Sequence, residues 1–237
     1  MNLVILASGM GTRLNKKKPK CLLSINNKTL LERIINISQE FDKVIIVGGY
    51  KINLIKKIIN NKKNIYLINN RDFKTTNMVE SFFKAYNKIN RDVIITYSDI
   101  LFDQSLFKKM IDFDKNHLLL KSNWKKIWSL RMSEKKLKLD AEDIKTKKKE
   151  IISIGGKIKN KLPKYQFMGL IRINYKSLKK VKIFYTKIRN KKIDFTSFIN
   201  LLIKNKIIRF KYKETKKPWF EIDNKKDLLV AKKYYQK

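Results

Sequence analysis

The chain has 237 residues, enough for one well-buried domain spanning 1–237, and no linker-like stretch divides it into two cores. Lys and Arg number 57 against 20 Asp and Glu, a net charge of +37, with one histidine and one cysteine. That inventory excludes an internal disulfide and a Cys/His metal cluster, and charged residues interrupt every apolar run before the roughly 20 residues that a bilayer span needs.

A membrane partner is therefore not expected. The single Cys21 fits a reducing compartment, and the chain opens on an apolar strand-like run without a signal-like leader, so the expected location is cytoplasmic. The 49 lysines are spread along the whole chain beside 34 Ile and 22 Asn, residues that share A/T-rich codons. The charge accordingly reads as a solvated coat and not as a nucleic-acid face, although such a coat still speeds the arrival of an anionic substrate.

In chain order, apolar Val/Ile-rich runs predict strands at 3–7, 43–47, 64–69, 93–97, 117–121, 166–173 and 207–212. Amphipathic stretches predict helices at 29–41, 51–60, 78–87, 105–113, 175–189, 194–205 and 225–236. Their alternation predicts an α/β fold: a Rossmann-like, open, mixed but mostly parallel sheet with helices on both faces. Residues 121–165 break into short charged pieces and are expected to form an acceptor-binding excursion over the open edge of the sheet, with the lysines at 145–149 at a hairpin tip.

The first strand runs into Leu6-Ala7-Ser8-Gly9-Met10-Gly11-Thr12-Arg13, with Pro19-Lys20 following. Gly9 and Gly11 allow close backbone approach, so that N–H groups can face a triphosphate at the carboxyl edge of the sheet. Arg13 and Lys20 add fixed positive charge. The loop has neither the third glycine of a dinucleotide fingerprint nor the Gly-Lys-Ser/Thr of a P-loop.

This loop is similar to the signature of the bacterial NTP-transferase superfamily, the MobA-like and sugar-phosphate nucleotidyltransferases, and most resembles phosphocholine cytidylyltransferase-like enzymes and their phosphoglutamine branch. The resemblance runs from Leu3 to Leu228. It implies that Leu6, Ala7, Ser8, Gly9, Gly11, Thr12, Arg13 and Lys20 bind the nucleotide, with Arg13 and Lys20 catalytic. It also implies that Asp99, closing the Val93–Ser98 run, and Asp223, in Trp219-Phe220-Glu221-Ile222-Asp223, hold Mg2+, with Glu221 a lesser candidate. Taken alone, each aspartate reads equally as a turn or helix N-cap, with Asp227 offering capping support to Asp223.

Gly49, Asn77 and Ser81 fall where the family reads base and ribose, and Asn77 reads equally as the N-cap of the next helix. In the middle region Trp124, Trp128, Arg131, Asp140, Glu142, Gln166 and Gly169 are the acceptor-binding candidates. Lys157 resembles a second catalytic lysine. The two tryptophans, four apart on one helical face, have core packing as their default. An indole face can also bind a quaternary ammonium. Asp140 and Glu142 alternate as on an extended strand and could together face an ammonium or hydroxyl. His117 and Cys21 read as structural.

The predicted activity is Mg2+-dependent transfer of CMP from CTP to a small phosphorylated metabolite, phosphocholine-, phosphoamino- or phosphoglutamine-like, with release of pyrophosphate, for surface polysaccharide or lipid decoration. A sugar-1-phosphate nucleotidyltransferase using another NTP is the second enzyme reading. A nucleic-acid-binding relative without catalysis is the reading from another class. The expected partners are CTP and the phosphorylated acceptor, and a homodimer is left open.

Overall fold

The computed structural model describes residues 1–11, 14, 18–59, 63–158 and 161–235. In chain order it forms β1 (Asn2–Ala7), β2 (Ser24–Ile25), β3 (Lys28–Thr29), α1 (Leu30–Asn36), β4 (Lys43–Gly48), α2 (Ile52–Ile58), β5 (Ile65–Asn69), α3 (Met78–Lys84), β6 (Val93–Tyr97), β7 (Ile100–Phe102) and α4 (Ser105–Ile111). There follow β8 (His117–Lys121), α5 (Trp124–Trp128), α6 (Glu134–Asp140), β9 (Glu142–Lys147), β10 (Glu150–Lys157), β11 (Gln166–Ile173), α7 (Tyr175–Thr186), α8 (Phe195–Lys204), β12 (Lys211–Thr215), β13 (Trp219–Glu221) and α9 (Lys225–Tyr235).

Nine strands make one sheet in the order β5-β4-β1-β6-β11-β8-β12-β10-β9. Following the pairings across it, all strands share one direction except β10 and β11. β1 lies inside it between β4 and β6, and all six of its residues are buried. That explains its unbroken apolar sequence: both faces are covered, so no alternation with polar residues is needed. On one face Val4, Leu6, Ile45 and Val47 pack against α3, α7 and α8. On the other, Leu3, Ile5, Val44 and Ile46 pack against α1, α2 and α4. The expected mixed, mostly parallel sheet with helices on both faces is borne out.

The departures have local causes. The helix predicted to reach Phe41 stops at Asn36, because Ser38 turns the chain, its N–H and its hydroxyl both donating to the Ile35 carbonyl. Phe41 is buried beyond the helix end against Phe107, which supplied the misleading periodicity. The strand predicted at 207–212 forms instead at Lys211–Thr215. Ile208 and Phe210 are core residues of the approach, and the ladder to β8 begins only at Lys211. The excursion does not lie over the sheet edge: β9 and β10 form a hairpin that prolongs it, while α5 and α6 pack on the α4 face. The hairpin turns at Lys148 and Lys149 alone, both at positive φ (46° and 64°), the twist that a tight two-residue connection requires.

His117 begins β8 and is fully buried, its Nδ1 2.8 Å from the Lys115 carbonyl oxygen and its Nε2 without a partner among the described residues. Burial pushes its pKa down to about 4. The ring is thus neutral when folded but takes up a proton when unfolded below its ordinary range, so its contribution to stability is present above pH 6.5 and is lost as pH falls toward 4. Thermal melts across that window are expected to show a smaller loss of melting temperature for His117→Phe than for the wild-type chain; equal losses would remove His117 as the cause.

Candidate functional site

The chain crosses from β1 into the glycine loop at the carboxyl edge of the sheet, and β6 ends beside it. Leu6 to Gly9, Gly11, Lys20, Cys21, Phe73, Thr76 to Met78, Ser81 and Tyr97 to Asp99 enclose a cavity of about 280 Å3. Gly11 sits at φ +61°, and a Cβ there would come within 2.6 Å of Lys20 Cγ. Glycine is thus required twice, for the left-handed turn and for the passage of the lysine stem.

The Lys20 ammonium lies 3.0 Å from Asp99 Oδ2 and also donates to Asp223 Oδ1. These carboxylates come from distant parts of the sequence and are joined by a small ladder. β7 pairs antiparallel with β13, matching Ile100 to Glu221, and Ile222 N donates to the Asp99 carbonyl at 2.9 Å. The residues flanking that ladder are Asp99 and Asp223. Burial alone would lower the Lys20 pKa, but the charges of Asp99 and Asp223 outweigh it and hold the ammonium well above its ordinary value. The helix-capping duty that Asp223 could have taken falls to its neighbour: Asn224 Oδ1 accepts from Lys226 N and Asp227 N at the start of α9. Two hard carboxylates meeting at one cation position suit a divalent ion that draws its other ligands from phosphate and water. Among the described residues no cluster of three or more acidic, His or Cys side chains could hold a metal by itself.

A second cavity, about 220 Å3, adjoins the first; Met78 and Tyr97 line both. Its wall includes Trp128, Asp140, Glu142, Gln166 to Gly169, Asp194 to Thr196, Trp219 and Glu221. Gly169, at φ +73°, makes room for the Tyr97 ring, which a Cβ would meet at 2.7 Å. Burial, with Asp223 and Asp99 nearby, raises the Glu221 carboxyl above the usual range.

Residues 3–119 match the MobA-like NTP transferase domain. Across 97% of this chain and 98% of the relative, the sequence is 31% identical to the CTP:phosphoglutamine cytidylyltransferase of Campylobacter jejuni. The chain belongs to the MobA-like NTP transferase family. In fold it is similar to the inositol-1-phosphate CTP transferase from T. maritima, with TM-score 0.79 at 18% identity over 98% of this chain and 95% of that one. It is also similar to the CTP:phosphocholine cytidylyltransferase of Streptococcus pneumoniae, with TM-score 0.78 at 17% identity over 99% of this chain and 98% of that one.

For a nucleotidyltransferase, the first cavity brings together Leu6, Ala7, Ser8, Gly9, Gly11, Lys20, Asn77, Ser81 and Asp99 as the sequence predicted. Thr12 and Arg13 lie outside the described residues. Gly49 is not in the wall; a Cβ there would strike Phe73 at 2.7 Å, so it acts by letting that ring into place. Asn77 is the N-cap of α3, its amide oxygen accepting from Met78 N and its nitrogen donating to the Lys192 carbonyl, which leaves one donor and one acceptor position for a ligand. The Ser81 hydroxyl accepts from the fully buried Asn70, which also ties down Thr76 and Asp72 N, so these groups shape the 70–77 loop.

The second cavity holds Trp128, Asp140, Glu142, Gln166 and Gly169. Four expectations for this region are corrected. Trp124 is core: fully buried, it packs edge-on to Trp128 at 5.2 Å and donates its indole N–H to the Pro163 carbonyl. Arg131 does not reach the cavity; it lies over the Trp128 ring and pairs with Asp227 at 3.1 Å, bracing the base of α9. Lys157 is exposed at the end of β10, in register with Glu142, and lines neither cavity. Asp140 lies at the end of α6 and not on a strand with Glu142, because Leu137 and Ala141 turn inward and leave it at the rim. Phe73, Thr76, Tyr97, Asp194 and Thr196 were not singled out as site residues. Tyr97 carried a sequence signal as the last residue of a buried strand two positions before Asp99, and Thr76, Asp194 and Thr196 lie in the Thr75–Ser81 and Asp194–Phe198 segments that resemble the family.

Gly11→Ala is expected to cost about 1–2 kcal/mol of stability for a side chain at left-handed φ. It is also expected to displace Lys20 and abolish nucleotidyl transfer at a temperature where the variant stays folded. Wild-type turnover in a folded variant would show that the loop does not work through Lys20.

Proposed function

We propose that this nucleotidyltransferase is a Mg2+-dependent cytidylyltransferase that moves CMP from CTP to a small phosphorylated metabolite. The observation that carries the proposal is the Lys20 ammonium held between Asp99 and Asp223 at the wall of the glycine-loop cavity. The full-length similarity to an enzyme named for CTP supports the choice of nucleotide. The triphosphate lies along Gly9 to Gly11, and the pyrimidine lies toward Phe73, Thr76 and Asn77. An oxygen of the acceptor phosphate attacks the α-phosphorus in line. The bond to the β-phosphate breaks, and pyrophosphate leaves with the electron pair.

Lys20 stays charged throughout and neutralises the phosphate oxygens as negative charge builds up on them, a role that needs placement and no proton transfer. Asp99 and Asp223 would hold Mg2+, which would supply further neutralisation of phosphate charge when bound. The wall shared by the two cavities, Met78 and Tyr97, sets where the reacting atoms meet. We place the reaction in the cytoplasm, in the supply of activated groups for surface polysaccharide or lipid decoration. Among the described residues no helix is long and apolar enough to cross a membrane.

With Mg2+ and a panel of phosphorylated acceptors, pyrophosphate release is expected with CTP in preference to the other nucleoside triphosphates. Lys20→Met is expected to lower kcat about 100-fold or more, as removal of a transition-state donor does. Preference for another triphosphate would refute the cytidylyl assignment, and unchanged turnover in Lys20→Met would refute the assigned role of the clamp.

A further inference from the structure

At the edge of the sheet opposite the glycine loop, the starts of β8, β10 and β12 meet the start of α7 around a third cavity, of about 400 Å3. Its wall carries Lys115, Lys180, Lys206, Arg209 and Lys211 against one acid, Glu150. Lys115 pairs with Asp114 at 3.5 Å, and among the described residues the other four cations pair with no carboxylate. A lysine-rich composition does not produce this by itself. Residues 151–213, which supply those four cations, hold 18 Lys and Arg and one acid, Asp194, whereas the rest of the chain holds 39 Lys and Arg and 19 acids. A bias toward lysine codons adds cations but does not empty one part of a chain of its acids.

The wall is held in a fixed shape. Asn116, 9% exposed, ties three parts of it together: its Oδ1 accepts from Asn174 N at 2.9 Å, and its Nδ2 donates to Ser177 Oγ at 2.9 Å and to the Arg209 carbonyl at 3.4 Å. Asn174 in turn caps α7, its Oδ1 accepting from Ser177 N at 2.8 Å. Ser177 Oγ accepts from Asn116 and still has its own proton to give. Among the described residues nothing takes that proton, and the Asn174 amide N–H groups are likewise without an acceptor. The cavity thus offers neutral donors on its fixed side and ammonium and guanidinium groups at an exposed rim.

We infer that this cavity binds a compact oligophosphate, a free ligand with two or more neighbouring phosphate groups. A concave wall of one sign focuses its field and concentrates ions of the opposite sign. A phosphate group carries about 1.5–2 negative charges near neutral pH, so two such groups match the four unpaired cations. The rim cations, the Ser177 hydroxyl and the Asn174 amide are all donors, which suits a ligand whose outer atoms are acceptors. Among the described residues no Phe, Tyr or Trp lines the wall, so the bases of a single-stranded nucleic acid find no platform on which to stack. The cavity is separate from nucleotidyl transfer: the five residues of β8, roughly 15 Å, divide this edge of the sheet from the carboxyl edge.

The test is calorimetric titration of tripolyphosphate, and separately of inorganic phosphate, into the whole chain at about 0.15 M salt, which screens the general surface charge. The wild-type chain is expected to bind tripolyphosphate about tenfold or more tighter than phosphate. Lys180→Ala/Arg209→Ala, which removes two exposed rim cations, is expected to weaken that binding about tenfold or more. Lys20→Met and Lys56→Ala/Lys57→Ala are expected to keep it. The first of these separates the cavity from the glycine loop, and the second removes the same charge from exposed positions on α2. Wild-type affinity in Lys180→Ala/Arg209→Ala, loss of the binding in Lys20→Met in its place, or an equal loss in the α2 variant would each overturn the inference. Binding to cardiolipin vesicles through Lys180 and Arg209, by a chain that binds no tripolyphosphate, would place the phosphates on a membrane surface and overturn the free ligand.

Discussion

One ammonium group between two carboxylates holds this site together. Lys20 comes from the loop after the first strand, Asp99 from the end of the fourth strand of the parallel run, and Asp223 from near the end of the chain. Without the lysine, two carboxylates would face each other across a cation's width with their repulsion uncompensated. Beside it the β7–β13 ladder closes, and its Ile100, Trp219 and Glu221 line the second cavity. The glycine at position 11 belongs to the same constraint, since any side chain there would occupy the path of the Lys20 stem. The sheet matters to function chiefly because it ends β1 and β6 side by side, with loop and carboxylate at adjacent strand ends.

A second constraint runs against the bulk of the molecule. Compositional drift toward lysine has coated the surface with positive charge, yet among the described residues the wall of the cavity next to the first one holds four acids and no Lys or Arg, with Arg131 reaching Glu221 from outside it at 3.8 Å. The outer charge draws anions to the surface from any direction. The acidic inner wall presents the opposite field to whatever enters the cavity. The expectation of a charged coat and the expectation of a selective acceptor site are therefore compatible, because they concern different dielectric environments.

The parts of this arrangement legible in the sequence were those encoded locally. The buried strands announced themselves as unbroken Val/Ile runs, and the glycine loop and the two aspartates were visible as short motifs at strand ends. What stayed hidden was set by tertiary contacts. Trp124 and Trp128 look alike on one helical face, but only the second reaches the cavity, because Pro163 and the core claim the first. Arg131 has the charge of a ligand-binding group, but its partner Asp227 lies far along the chain in α9. Asp140 and Glu142 have the spacing of a strand face, but a helix end falls between them. Thr196 becomes significant only when the hairpin brings Glu142 to the start of α8.

The central claim is that Lys20 and the proposed Mg2+ compete for the same two carboxylates, so that the ion binds only once a nucleotide gives the lysine another partner. Calorimetric titration of Mg2+ into the wild-type chain and into Lys20→Met, each with and without CTP, tests this directly. The account predicts that the wild-type chain takes up Mg2+ only with CTP present, while Lys20→Met binds it without nucleotide. Equal Mg2+ binding by the two chains in the absence of CTP would contradict it.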